Sequence, residues 1–136
     1  MKLKLNMKYI LAIVLLLFLS AGVNAQARLT IENNSMRSMT VKVMKSFGTT
    51  GTLHETVTIG PYDTQVVGFS ESGYYFTKTK AVLNGKDPVY RKGQSFEVTN
   101  NARSYSVLKL TFSIKESRIP QATGGKQISK TEFDQN

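Results

Sequence analysis

The chain has no cysteine, no tryptophan and a single histidine, and acids are scarce: nine Asp and Glu stand against 18 Lys and Arg in 136 residues. Each shortage excludes chemistry. Without thiols there is no cysteine nucleophile, no thiolate metal site and no disulfide framework. One imidazole among singly scattered acids offers no cluster with metal-ligand spacing, so neither a metal nor a cofactor is expected. A serine triad would have to use His54 with Asp63 or Asp87, and no Gly-x-Ser-x-Gly elbow is present to expose a nucleophile. His54 sits between Leu53 and Glu55, in phase with Thr56 and Thr58, which predicts a surface histidine without a chemical role. Glycosidase chemistry needs only two carboxylates, and Glu55, Glu71, Glu97 and Asp63 are the candidates. Their placement in turns and on strand surfaces reads instead as ordinary solvation. Phosphate-cradling glycine loops are missing as well. The expectation is a protein that is not an enzyme.

Long hydrophobic runs are also missing, with one exception at the N-terminus. Lys2, Lys4 and Lys8 precede an unbroken apolar run from Tyr9 to Leu19, and Val23 and Ala25 place small residues before Gln26. This is the pattern of a signal peptide, residues 1–25, cleaved after Ala25. The run is 11 residues long, against the roughly 20 needed to span a bilayer. A mature chain of residues 26–136 loses three lysines and keeps a formal charge of +6. The short basic leader and the lack of disulfides point to a bacterial export substrate, periplasmic or secreted. Without a cysteine at the cleavage site, a lipid tether by the bacterial lipoprotein route is not expected. Asn33-Asn34-Ser35 is a formal glycosylation sequon that matters only in a eukaryotic setting.

What is present is period-two alternation. Leu108, Leu110, Phe112 and Ile114 alternate with Val107, Lys109, Thr111 and Ser113, as a strand with one buried face requires. Leu29 and Ile31 share a face, and Met39, Val41 and Val43 oppose Thr40, Lys42 and Met44. Further strands are expected at 52–59, 64–70, 74–83, 89–91 and 94–99, about eight in all. Turn-forming compositions separate them, the most specific being Asn84-Gly85, which suits a type I′ hairpin turn. No helical period is long enough to supply a crossover. The fold class is therefore an all-β antiparallel sandwich, Ig-like or jelly-roll-like, over residues 26–115. Residues 116–136 read as a flexible C-terminal tail. Ser129 and Glu132 fit a capping box there, and Ile119, Ile128 and Phe133 are its apolar anchors.

The segment Tyr74-Tyr75-Phe76-Thr77-Lys78-Thr79-Lys80 is the best candidate for a binding surface. As a strand it puts Tyr74, Phe76, Lys78 and Lys80 on one face, with Arg91 and Lys92 brought near across the following hairpin. Aromatics beside ammonium groups suit an anionic glycan, an anionic lipid surface or an acidic protein. Export removes the chain from chromosomal nucleic acid, so no nucleic-acid partner is expected. A plainer reading makes the aromatics seal a sandwich rim and the lysines guard an edge strand. A rival function is an assembly component of the cell envelope that pairs through its edge strands. A membrane-active toxin and a small hydrolase rank below it.

Overall fold

The computed structural model describes residues 26–117, 120–122 and 124–136. The expected signal segment, residues 1–25, lies outside the described residues. Among the described residues no helix is long and apolar enough to cross a membrane. The chain folds as an all-β sandwich. In order, the elements are β1 (Ala27–Asn34), β2 (Ser38–Phe47), β3 (Thr50–Ile59), β4 (Thr64–Phe69), β5 (Gly73–Val82), β6 (Val89–Lys92), β7 (Phe96–Val98), β8 (Val107–Lys115), β9 (Gln121–Ala122), β10 (Lys126–Gln127) and a short helix α1 (Lys130–Asp134). All eight expected strands are present, with no boundary shifted by more than two residues.

One sheet runs β4-β1-β8-β9 and the other β10-β6-β5-β2-β3, with β7 also paired to β5. All recorded strand pairings are antiparallel except β1 with β8. That parallel pair departs from the expected antiparallel sandwich because β7 hands the chain back at the pole where β1 begins, and the Arg28 N–H donates to Ser106 C=O at 3.0 Å.

Alternation explains the core. Leu29, Ile31, Val67 and Phe69 from the first sheet meet Met39, Val41, Val43, Tyr75, Ala81 and Val98 from the second, all buried. The cluster continues into half-buried Phe96, Leu108, Leu110, Phe112 and Ile114. Burial of this apolar surface is the main stabilising term in a chain without cross-links.

One pole is fastened by polar residues. Arg37 is fully buried and donates through Nε to Glu116 Oε1 at 2.7 Å and through Nη1 to the carbonyls of Ala81 at 3.1 Å and Asp87 at 2.8 Å. This ties β5, the β5–β6 loop and the end of β8 to the β1–β2 turn. The Arg37 hydrogen bond holds the Glu116 carboxyl below its ordinary range. Beside it, Asn33 donates to the carbonyls of Arg37 at 2.7 Å and Gly60 at 2.9 Å and accepts from Ser35 Oγ. The sequon asparagine is thus buried and fully engaged, and a glycan on it is incompatible with this fold.

Two local expectations change. Gly85 has φ of 81° but Asn84 is not in the left-handed region, so the turn closed by Lys86 N–H to Leu83 C=O at 3.0 Å follows a type II pattern, not type I′. A six-residue β5–β6 connection is long enough to relieve the demand that a two-residue loop would make. In β3, the register steps from Val43–Glu55 to Met44–Leu53, so His54 is the extra residue of a β-bulge. It remains exposed, but the bulge turns its ring onto Phe69, with centroids 4.9 Å apart and planes 7° off parallel.

Candidate functional site

The outer face of the second sheet is built from β2, β5 and β6. On β5, Tyr75, Thr77, Thr79 and Ala81 point inward and are buried. Tyr74, Phe76, Lys78 and Lys80 therefore share the outer face, as alternation requires. Being flanked by β2 on one side and by β6 and β7 on the other, β5 is an interior strand. Its lysines cannot be edge guards, and the plainer reading of them fails on that point.

Register places Lys42 of β2 opposite Lys78, and Lys78 opposite Lys92 of β6. Three ammonium-bearing side chains thus lie in one row across three adjacent strands. Thr40, Lys80 and Tyr90 form the next row on one side, and Met44 with Phe76 the next on the other. Like charges placed directly opposite destabilise a sheet, so this row needs compensation. Among the described residues, no carboxylate lies within ion-pair distance of Lys42, Lys78, Lys80 or Lys92, whereas Arg37, Lys45, Lys86, Lys109 and Lys130 each have one.

Compensation comes from the C-terminal segment, which packs on this face where a flexible tail was expected. Ser129 caps α1, accepting the Glu132 N–H at 3.1 Å, and β10 pairs with β6. Ile128 and Phe133, two of the three anchors offered by the sequence, are each only 5% exposed. The Phe133 ring lies 5.6 Å from that of Tyr90, with Lys42 Nζ 4.7 Å above it. Lys42 Nζ donates to Phe133 C=O at 2.9 Å and Asn136 Oδ1 at 2.8 Å. Lys78 Nζ donates to Glu132 C=O at 2.9 Å and to Gln135 C=O. The lysine row therefore meets the carbonyl end of α1, where the unpaired backbone acceptors of a helix collect. Burial of Lys78, reinforced by the neighbouring Lys42 charge, pushes its ammonium below the ordinary lysine range.

Not every expected residue joins this face. Tyr74 is 57% exposed and lies clear of α1, opposite Glu97 of β7. Phe76 is half-buried and carries Lys92 Nζ 4.8 Å above its ring. Arg91 is on the other face, because neighbours on a strand point to opposite sides. It pairs with inward-facing Thr79, and its guanidinium donates to Gly124 C=O at 2.6 Å and Gly125 C=O at 2.8 Å. Gly125 must be glycine, since its φ is 65° and a Cβ would lie 2.2 Å from Lys92 O. The sequence reading missed Lys42, Met44 and Tyr90. Their alternation was visible, but their membership in the site depends on register.

The four acids considered for catalysis are dispersed. Glu71 is paired with Lys45, Asp63 Oδ1 accepts the Thr64 N–H at 2.8 Å, and Glu55 and Glu97 are exposed on β3 and β7. Among the described residues no group of three or more His, Cys, Asp or Glu stands close enough to hold a metal ion.

Fold and face together define the class: a disulfide-free all-β sandwich whose basic outer sheet is covered by its own C-terminal segment. Comparison with family models, with curated proteins and with solved structures finds no match for this chain.

Proposed function

We propose that the protein is an exported, non-enzymatic binding module that engages an anionic extracytoplasmic ligand, such as an acidic glycan, an anionic lipid surface or an acidic protein, on the outer face of its larger sheet. The observation that carries this reading is the in-register row Lys42–Lys78–Lys92, whose ammonium groups contact carbonyls and rings while the nearest carboxylates, Glu132 and Asp134 of α1, act on it only from beyond ion-pair distance. An anion in direct contact is the partner such a row lacks. Lys80, Phe76 and Tyr90 flank the row and supply a fourth cation and two rings beside it. In this reading the C-terminal segment is the resident occupant, and a ligand works against its docking. Export rests on the basic, apolar and small-residue pattern of residues 1–25.

The test is co-sedimentation of residues 26–136 with anionic vesicles and with acidic polysaccharide at low and high salt. Lys78 holds the C-terminal segment, so the informative variant is Lys80→Glu with Lys92→Glu. We expect it to lower binding by at least about tenfold, given roughly 1 kcal/mol for each basic residue near an anionic surface. Phe133→Ala, which loosens the occupant, should raise binding. Equal, salt-independent sedimentation of wild type and charge-reversed protein overturns the proposal.

A further inference from the structure

The sandwich has a second feature that the lysine face does not use. On one side β8 pairs with β1, and on the other β9 reaches only Ile114 and Lys115. From Val107 to Phe112, no described strand pairs with that second side, so alternate backbone N–H and C=O groups along it are left for a partner. The inward side chains of the same stretch, Leu108, Leu110 and Phe112, are only half-buried, while Leu29 and Ile31 of neighbouring β1 are fully buried. A cavity of about 420 Å³ opens beside them. Leu110 and Phe112 wall it on one sheet, Thr77 and Phe96 on the other, and the Gly124–Gly125 crossing bounds it with Arg91.

We propose that this edge accepts an extended segment of a partner protein, which adds to β8 as a strand and sets alternate apolar side chains into the cavity. Two needs are met together only by such an occupant. An added strand satisfies the open backbone groups, and its period of two places every second side chain against Leu110, Phe112 and Phe96. A small apolar molecule would fill the cavity and leave the edge unpaired. β9 already sets the direction, antiparallel to β8. Arg91 at the mouth of the cavity and Lys109, exposed on the outward face of β8, are the charges such a strand meets, so the segment carries acids between its apolar residues.

The experiment titrates ¹⁵N-labelled residues 26–136 with an eight-residue blocked peptide of sequence Glu-Val-Glu-Val-Glu-Val-Thr-Glu. Its control is the same peptide N-methylated at alternate amides. We expect shifts concentrated on Val107–Phe112, with edge-facing amides there exchanging at least about tenfold more slowly, and no such effect from the methylated peptide. Phe96→Ala, on the opposite sheet, should weaken binding several-fold without touching the β8 backbone. Three results overturn the proposal: no change at β8, shifts confined to the face of Lys42 and Lys78, or equal binding of both peptides. Concentration-dependent protection of the same amides without peptide also overturns it and makes a second copy of this chain the occupant. None of these readouts depends on anion binding at the lysine face.

Discussion

The two lateral sides of the sandwich are closed in different ways. Where β3 and β4 approach, the bulge at His54 drops one out-of-register residue into the seam. Its ring stacks on Phe69 and meets Tyr75 edge-on at 5.5 Å, and Nε2 lies 2.8 Å from Gly68 O. The β3 edge is otherwise rich in threonine, and it is irregular where a foreign strand would need it flat. Where β8 faces β6 and β7, no described side chain fills the seam in that way, and the Gly124–Gly125 crossing with Arg91 only bounds the opening. Phe96, with its ring 6.4 Å from Phe69 and 6.3 Å from Tyr75, is the last aromatic before the cavity. One bulged residue thus separates a sealed seam from a receptive one.

Substitutions should break this asymmetry in a graded way. Phe69→Ala, at the centre of the sealed side, removes a fully buried ring and should cost about 3–5 kcal/mol in urea unfolding followed by circular dichroism. Next comes Glu116→Gln, which deprives buried Arg37 of its charged acceptor at the far end of β8 and should cost about 1–3 kcal/mol at neutral pH. Its sign with pH is definite. The folded-state value of Glu116 is depressed below the ordinary 4.5, so its contribution is present above that value and is lost as pH falls through the depressed one. The wild-type advantage over Glu116→Gln should therefore vanish in acid, and a deficit that is flat with pH would show that the charge on Glu116 is not what fastens Arg37.

Phe96→Ala only enlarges an existing cavity and should cost about 1–2 kcal/mol in the same unfolding assay, less than Phe69→Ala. His54→Ala should cost about 0.5–1.5 kcal/mol, the worth of an aromatic pair. Hydrogen exchange should show faster opening of the β4 amides in that variant while β8 is unchanged. Equal costs for Phe69→Ala and Phe96→Ala would mean that the two sides are alike.

Most of the strand inventory was legible because burial of one sheet face imposes a period of two along each strand. The face shared by Tyr74, Phe76, Lys78 and Lys80 followed from the same alternation. Arg91 could have been assigned away from Lys92 by that rule too, since adjacent residues on a strand diverge. The Lys42–Lys78–Lys92 row was not legible: a one-residue slip in either pairing would scatter it, and pairing depends on loops whose geometry composition only narrows. The bulge at His54 was equally hidden, because an extra residue leaves no mark on alternation until its partner strand is known.

Alternation, turn residues and the absence of cysteine were enough to establish a cross-link-free β-sandwich with a basic face, because these follow from burial and from backbone preferences that act locally. Strand order, the parallel β1–β8 pair, the docking of α1 on the lysine row and the open edge at β8 were settled in three dimensions. Each depends on which distant segments meet. Lys42 and Asn136 are joined across 94 positions of sequence, a contact that no local preference specifies.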